Sequence, residues 1–113
     1  MHEYSIVGAL VEQVEEQMRA RGAVAVHAVS VRIGELSGVD CELLAGAYEI
    51  FRPATVCASA PLTIEQVPAR YECRQCGHPI ALGALLRCPQ CGGAAELTQG
   101  DEILLTRIEM EVN

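Results

Sequence analysis

Two cysteine pairs, Cys73-Arg-Gln-Cys76-Gly and Cys88-Pro-Gln-Cys91-Gly, constrain this chain more than any other feature of its 113 residues. A gap of two residues lets both thiolates of a pair turn toward one ion. Gly77 and Gly92 follow the pairs, where a tight turn needs a positive φ. Two such knuckles complete a tetrahedral four-sulfur shell, which favours Zn2+, with iron in a rubredoxin-like site as the rival metal. A structural zinc also supplies folding energy that a loop-rich segment cannot draw from burial. Disulfides are the competing reading of the same cysteines. The opening Met1-His2-Glu3-Tyr4 lacks the basic start and apolar stretch of a signal peptide. No run approaches the ~18 apolar residues of a membrane span. A soluble, cytoplasmic protein is therefore expected, and in that reducing compartment cysteines serve metals or catalysis rather than disulfides. A filled sulfur shell leaves no open coordination position, and no His/Glu base motif lies beside it, which argues against a zinc hydrolase. His78 is a candidate to swap in as a ligand, to support one from outside, or simply to be exposed. Cys41 and Cys57 have no partner at metal spacing and are expected to be small buried hydrophobes.

Away from the cysteines the pattern is that of a packed α/β core. Residues 3–21 predict an amphipathic helix with Tyr4, Val7, Val11, Val14 and Met18, reinforced by Ile6 and Leu10, on its apolar side. Arg19 and Arg21 suit its last turn, and Gly22 is its C-terminal cap. Residues 24–33 predict a strand in which Val29, Val31 and Ile33 alternate with Ala28, Ser30 and Arg32. Gly34 and Gly38 punctuate a loop ending at Asp40. A second helix is expected over 41–51, with Leu43, Leu44, Ala47, Ile50 and Phe51 apolar and Pro53 ending it. Strands are expected over 61–67 and 103–112, the latter with Leu104, Ile108, Met110 and Val112 on one face. Between them, residues 69–95 carry little periodicity. The expected fold is α+β: a two-layer core with a small mixed sheet of three strands and two helices, plus an inserted zinc-ribbon-like module. The expected domains are 1–68 with 96–113 as the core, and 69–95 as the metal module.

Charge excludes several functions. Eight basic residues against 15 acidic ones give a net charge of −7, which opposes binding to nucleic acid through phosphate neutralisation. All eight are Arg, so lysine Schiff-base and P-loop chemistry are absent. With Tyr and Phe few and Trp missing, there is no stacking platform for single strands.

The amino terminus carries a second possible donor set. A bulky His at position 2 disfavours removal of the initiator, so Met1 is expected to keep its amine. That amine, the His2 amide nitrogen and the His2 Nδ1 can close fused five- and six-membered chelate rings. Glu3 adds a carboxylate or its own amide. Such a nitrogen-rich, near-planar set suits Ni2+ or Cu2+ better than Zn2+. Capping of the second helix is a sufficient explanation of Asp40, although a capping carboxylate can also accept from the His2 imidazole, and Glu3 is open in the same way, since acids are favoured in a first helical turn without any metal. His27, in a strand among apolar neighbours, is expected at a core or edge position rather than on a metal.

The opening Met1-His2-Glu3-Tyr4-Ser5, the segment Arg32-Ile-Gly-Glu-Leu-Ser-Gly-Val-Asp40 and the paired knuckles in this order together resemble the HypA/HybF family across essentially the whole chain. The resemblance implies a non-enzymatic nickel metallochaperone for maturation of [NiFe]-hydrogenases. Its nickel ligands carry over to Met1, His2 and Glu3, with Asp40 as the nearby acid. Its structural zinc ligands carry over to Cys73, Cys76, Cys88 and Cys91. It implies as partners the maturation GTPase HypB and the hydrogenase large-subunit precursor, with neither nucleic acid nor membrane, for a monomer or weak homodimer; some members also support urease. The alternative is a zinc-ribbon protein-interaction module without nickel.

Overall fold

The computed structural model describes residues 3–81 and 86–113. The first helix, α1 (Glu3–Arg21), follows the expected periodicity: Ile6, Val7, Leu10, Val11 and Val14 are buried along one side. Tyr4 does not join them and is half exposed. Gly22 alone joins α1 to β1 (Ala23–Gly34), so helix and strand run in opposite directions and Glu3 lies at the Gly34 end of the core. Val29, Val31 and Ile33 of β1 are buried, and the alternate Ala28, Ser30 and Arg32 face the other way.

α2 (Cys41–Phe51) follows, then a short 3-10 turn at Arg52–Ala54, then β2 (Leu62–Val67). The remaining strands are β3 (Arg70–Cys73), β4 (Pro79–Ile80), β5 (Ala95–Gln99) and β6 (Ile103–Val112). The first sheet has the order β2-β1-β6, with β1 parallel to β2 and antiparallel to β6. The helices cover one face of it. Val7, Leu10 and Val14 of α1, Leu44 and Tyr48 of α2, and Val29, Val31 and Ile33 of β1 share one core, where each such side chain contributes about 1.5–3 kcal/mol. The second sheet, β4-β3-β5, is antiparallel and lies in the chain between β2 and β6. The fold is thus the expected α+β arrangement with an inserted zinc-ribbon-like module. It is elongated, 55 × 28 × 16 Å.

Three local expectations are corrected. The apolar stripe of α2 is rotated: Leu44, Ala47 and Tyr48 are buried, whereas Leu43 is 58% and Ile50 69% exposed. The cause is Tyr48, which sinks its ring into the core and donates its hydroxyl to the Ala60 carbonyl at 2.6 Å. Burial holds that phenol above its ordinary pKa, so it stays a donor. In β6 the core-side residues are Ile103, Leu105, Ile108 and Met110, and Leu104 is half exposed. A register shift opposite Ser30 and Val31 changes the phase between Leu105 and Ile108. Finally, the stretch read as loop-rich contains the paired strands β3 and β4. Its alternation is hidden because the strands are short and flank the metal-type residues.

Candidate metal centre

The four knuckle thiols converge. The sulfurs of Cys73, Cys76, Cys88 and Cys91 all lie within 4.8 Å of one another. Cys73 Sγ is 3.3 Å from Cys91 Sγ, Cys76 Sγ is 3.6 Å from Cys88 Sγ, and Cys91 Sγ is 3.7 Å from Cys76 Sγ. A tetrahedral ion 2.3 Å from each sulfur needs sulfur–sulfur edges of ~3.8 Å, so the cage fits Zn2+ with little adjustment. All the cysteines of the chain are free thiols, which removes the disulfide reading.

The backbone builds the two halves alike. The Cys73 amide donates to the His78 carbonyl at 2.8 Å and the Gly77 amide to the Cys73 carbonyl at 2.9 Å. In the second knuckle the Cys88 amide donates to the Gly93 carbonyl at 2.9 Å and the Gly92 amide to the Cys88 carbonyl at 2.9 Å. Gly77 and Gly92 have φ of +76° and +75°, the left-handed turn expected at both positions. Amide N–H groups also point at sulfur: those of Gln75 and Cys76 at Cys73 Sγ (3.4 and 3.5 Å), and that of Gln90 at Cys88 Sγ (3.3 Å). Such donors stabilise thiolate. The Cys76 amide, followed by that of Gln75, brings the Cys73 thiol down to about 6. For Cys91 the Gly93 amide pulls the same way, but the crowding sulfurs of Cys73 and Cys76 prevail and push it up to about 12. Closing the full set of thiolates calls for a cation between them.

His78 is not one of the converging groups. Its carbonyl and amide serve the first knuckle, the latter toward the Cys76 sulfur. The corresponding position of the second knuckle is Gly93, whose importance the sequence reading missed. A Cβ there would stand 2.8 Å from Cys73 Sγ and 3.3 Å from Cys91 Sγ. The doubled glycine after Cys91, against the single one after Cys76, was the available signal. Gly93→Ala is accordingly expected to weaken zinc binding ~10–100-fold by prising the sulfurs apart. Competition against a chromophoric chelator measures this, and unchanged affinity would show that the cage relaxes around the methyl group.

The other candidate residues lie elsewhere. Met1 and His2 lie outside the described residues. Glu3 occupies the first turn of α1. Asp40 is the N-cap of α2, its Oδ1 accepting from the Glu42 and Leu43 amides at 3.0 and 3.1 Å, so the capping explanation holds. Asp40 ends the loop that leaves β1 at Gly34, and therefore shares an end of the core with Glu3. His27 is exposed and pairs through Nε2 with Glu111 Oε1 at 3.1 Å. Cys57 is wholly buried, as expected, whereas Cys41 is only half buried. Among the described residues no helix is long and apolar enough to cross a membrane.

Comparison with known proteins agrees with this geometry. The family described as hydrogenase/urease nickel incorporation metallochaperone, HypA, matches residues 1–110. A curated relative, the hydrogenase maturation factor HypA of Wolinella succinogenes, is 41% identical, with 98% of this chain and 96% of the relative covered. The corresponding factor of Nitrosospira multiformis is 38% identical, covering 97% of each. Among solved structures, that of the Ni metallochaperone HypA from Helicobacter pylori superposes with a TM-score of 0.75 at 36% identity over the whole of both chains.

Proposed function

The chain belongs to the HypA family of nickel-incorporation metallochaperones, and on that premise we propose that it carries Ni2+ on its first residues while a separate zinc is held by the cysteines. The Met1 amine, the His2 amide and imidazole, and Glu3 hold the nickel, with Asp40 as the nearby acid. Cys73, Cys76, Cys88 and Cys91 hold the zinc. The two helices with the β2-β1-β6 sheet form the nickel domain, and the β4-β3-β5 sheet, running through Gln99, the zinc domain. The recipient is the [NiFe]-hydrogenase large-subunit precursor in the cytoplasm, reached together with the GTPase HypB. The work is transport rather than turnover.

The observation that carries this reading is the closed thiol cage. Four sulfurs within 4.8 Å complete one tetrahedral ion and offer no vacant position for a cargo that must enter and leave. A cargo ion needs a second, more open donor set. The chain path supports the first residues as that set, because α1 begins at Glu3, at the end of the core where the Gly34–Asp40 loop also lies. Zinc bound at the cage supplies structure alone. The Gln75 and Cys76 amides bias Cys73 toward thiolate, and the Arg74 amide, donating to the Ala94 carbonyl at 3.0 Å, ties the first knuckle to the second.

Nickel titration calorimetry on the zinc-loaded full chain with a free amino terminus tests the proposal. One equivalent of tightly held Ni2+ is expected, with the zinc retained, and an added N-terminal extension is expected to remove the binding because it consumes the amine. Absence of nickel uptake by the free-amine protein would overturn the proposal and leave a zinc-bearing interaction module.

A further inference from the structure

The two sheets meet at a junction formed by chain segments far apart in sequence. β2 leaves the core at Val67 and β6 re-enters it at Ile103, and both connections are gripped by the residues at the end of β1. The Gly34 amide donates to the Glu102 carbonyl at 2.8 Å, that of Glu35 to Val67 at 2.8 Å, and that of Leu36 to Gly100 at 2.6 Å. Glu35 closes the group with its side chain: Oε1 accepts from the Ala69 amide at 2.7 Å. Gln99 Nε2 donates to the Pro68 carbonyl at 3.0 Å, tying the two connections to each other.

The contact leaves no slack. A Cβ on Gly34 would collide with the Gly100 backbone and sit 2.6 Å from the Asp101 nitrogen. A Cβ on Gly100, at φ +110°, would sit 2.5 Å from Ala69 Cα. Ala69 is buried, and its amide lies between β2 and β3, outside both ladders, so the Glu35 carboxylate is what satisfies it. An open cavity of about 610 Å3 next to this junction is lined by Glu35, Asp40, Glu42, Val67 and Pro68, which brings the clasp and the Asp40 loop to one place.

We propose that Glu35 is a positioning residue whose carboxylate clasps the thiol-bearing sheet onto the core, so that the two sheets move as one body and the loop ending at Asp40 is held in a fixed relation to the zinc module. Its bearing on nickel rests on the delivery reading above; the clasp itself does not. A buried amide denied its acceptor must open toward water, and among the described residues the other hydrogen bonds across the joint are backbone bonds at its edges and the Gln99 contact.

The test uses the zinc-loaded full chain, its Glu35→Ala variant and the conservative Glu35→Gln variant, whose amide oxygen still accepts from Ala69. In 15N relaxation, β3 and β5 are expected to share one rotational correlation time with β1 and β2 in the parent and in Glu35→Gln. In Glu35→Ala they are expected to acquire a shorter one. Hydrogen exchange at the Ala69 amide is expected to speed up about tenfold in Glu35→Ala and to stay near the parent rate in Glu35→Gln. Separate tumbling already in the parent, or joint tumbling with unchanged Ala69 exchange in Glu35→Ala, would overturn the clasp. If Glu35→Ala proves too unstable to study, the parent relaxation and the rescue by Glu35→Gln still decide the matter. Nickel affinity is expected to fall several-fold in Glu35→Ala alone. Equal affinity in both variants would overturn the link to the cargo loop. Failure of the parent to bind nickel would instead count against the delivery reading, leaving the relaxation result to judge the clasp.

Discussion

Cys73→Ser is expected to release the zinc and unfold β3, β4 and β5, while α1, α2 and the β2-β1-β6 sheet stay folded. The reason lies in what each sheet has to bury. The first sheet packs Val7, Leu10, Val14, Leu44, Tyr48 and their neighbours into a core that owes nothing to a metal. Among the described residues the second has Ile80 as its only buried aliphatic, joined by Cys73 and Cys88 themselves with Tyr71 and Ala95 alongside. Its core is largely its ligand set, so loss of the ion removes most of what orders it. Structural zinc contributes ~10–16 kcal/mol to the folding of small modules, far more than one aliphatic side chain at ~3 kcal/mol. Metal analysis together with a 15N–1H correlation spectrum checks the outcome. Collapse of the β3–β5 resonances with the core resonances in place is expected. One zinc retained per chain with four-sulfur geometry would show that the ligands have been misassigned. A strong chelator acting on the parent protein should have the same effect, and reversibly.

His2→Ala is expected to lower nickel affinity by more than ~100-fold, since even residues that merely support a ligand are worth 10–100-fold. Zinc content and melting temperature should not change, because the proposed nickel site shares no ligand with the thiol cage. In the proposed site the imidazole and the backbone nitrogens bind nickel only after losing protons, so acid should weaken the parent protein's grip. Calorimetry at several pH values reads both effects. An affinity in His2→Ala equal to the parent's would remove the amino-terminal site, whatever became of the zinc.

Much of this architecture is legible in the sequence, and the legible parts share a cause. α1, α2 and β6 begin and end as expected because hydrophobic period, capping by Asp40 and punctuation by Gly22 all act within a few residues. The thiol cage was legible because a C-x-x-C-G turn encodes its own geometry: the left-handed φ at Gly77 and Gly92 is local to each knuckle. Even the failure at α2 is instructive. Leu43 and Ile50 are apolar on a helix with apolar residues around most of its circumference, so composition could not choose a face. The hydrogen bond from Tyr48 to Ala60 chose it.

The sequence by itself determined the four-cysteine cage and the elements of the core, α1, α2, β1, β2 and β6, since both are written in spacings shorter than a helix or a knuckle. Only the tertiary structure decided the phase of β6 across its register shift, the need for an empty Cβ position at Gly93, and the junction at Gly34 and Glu35. Those features arise where backbone segments tens of residues apart come into van der Waals contact. A glycine or a glutamate carries no local sign of which distant amide or sulfur it will meet.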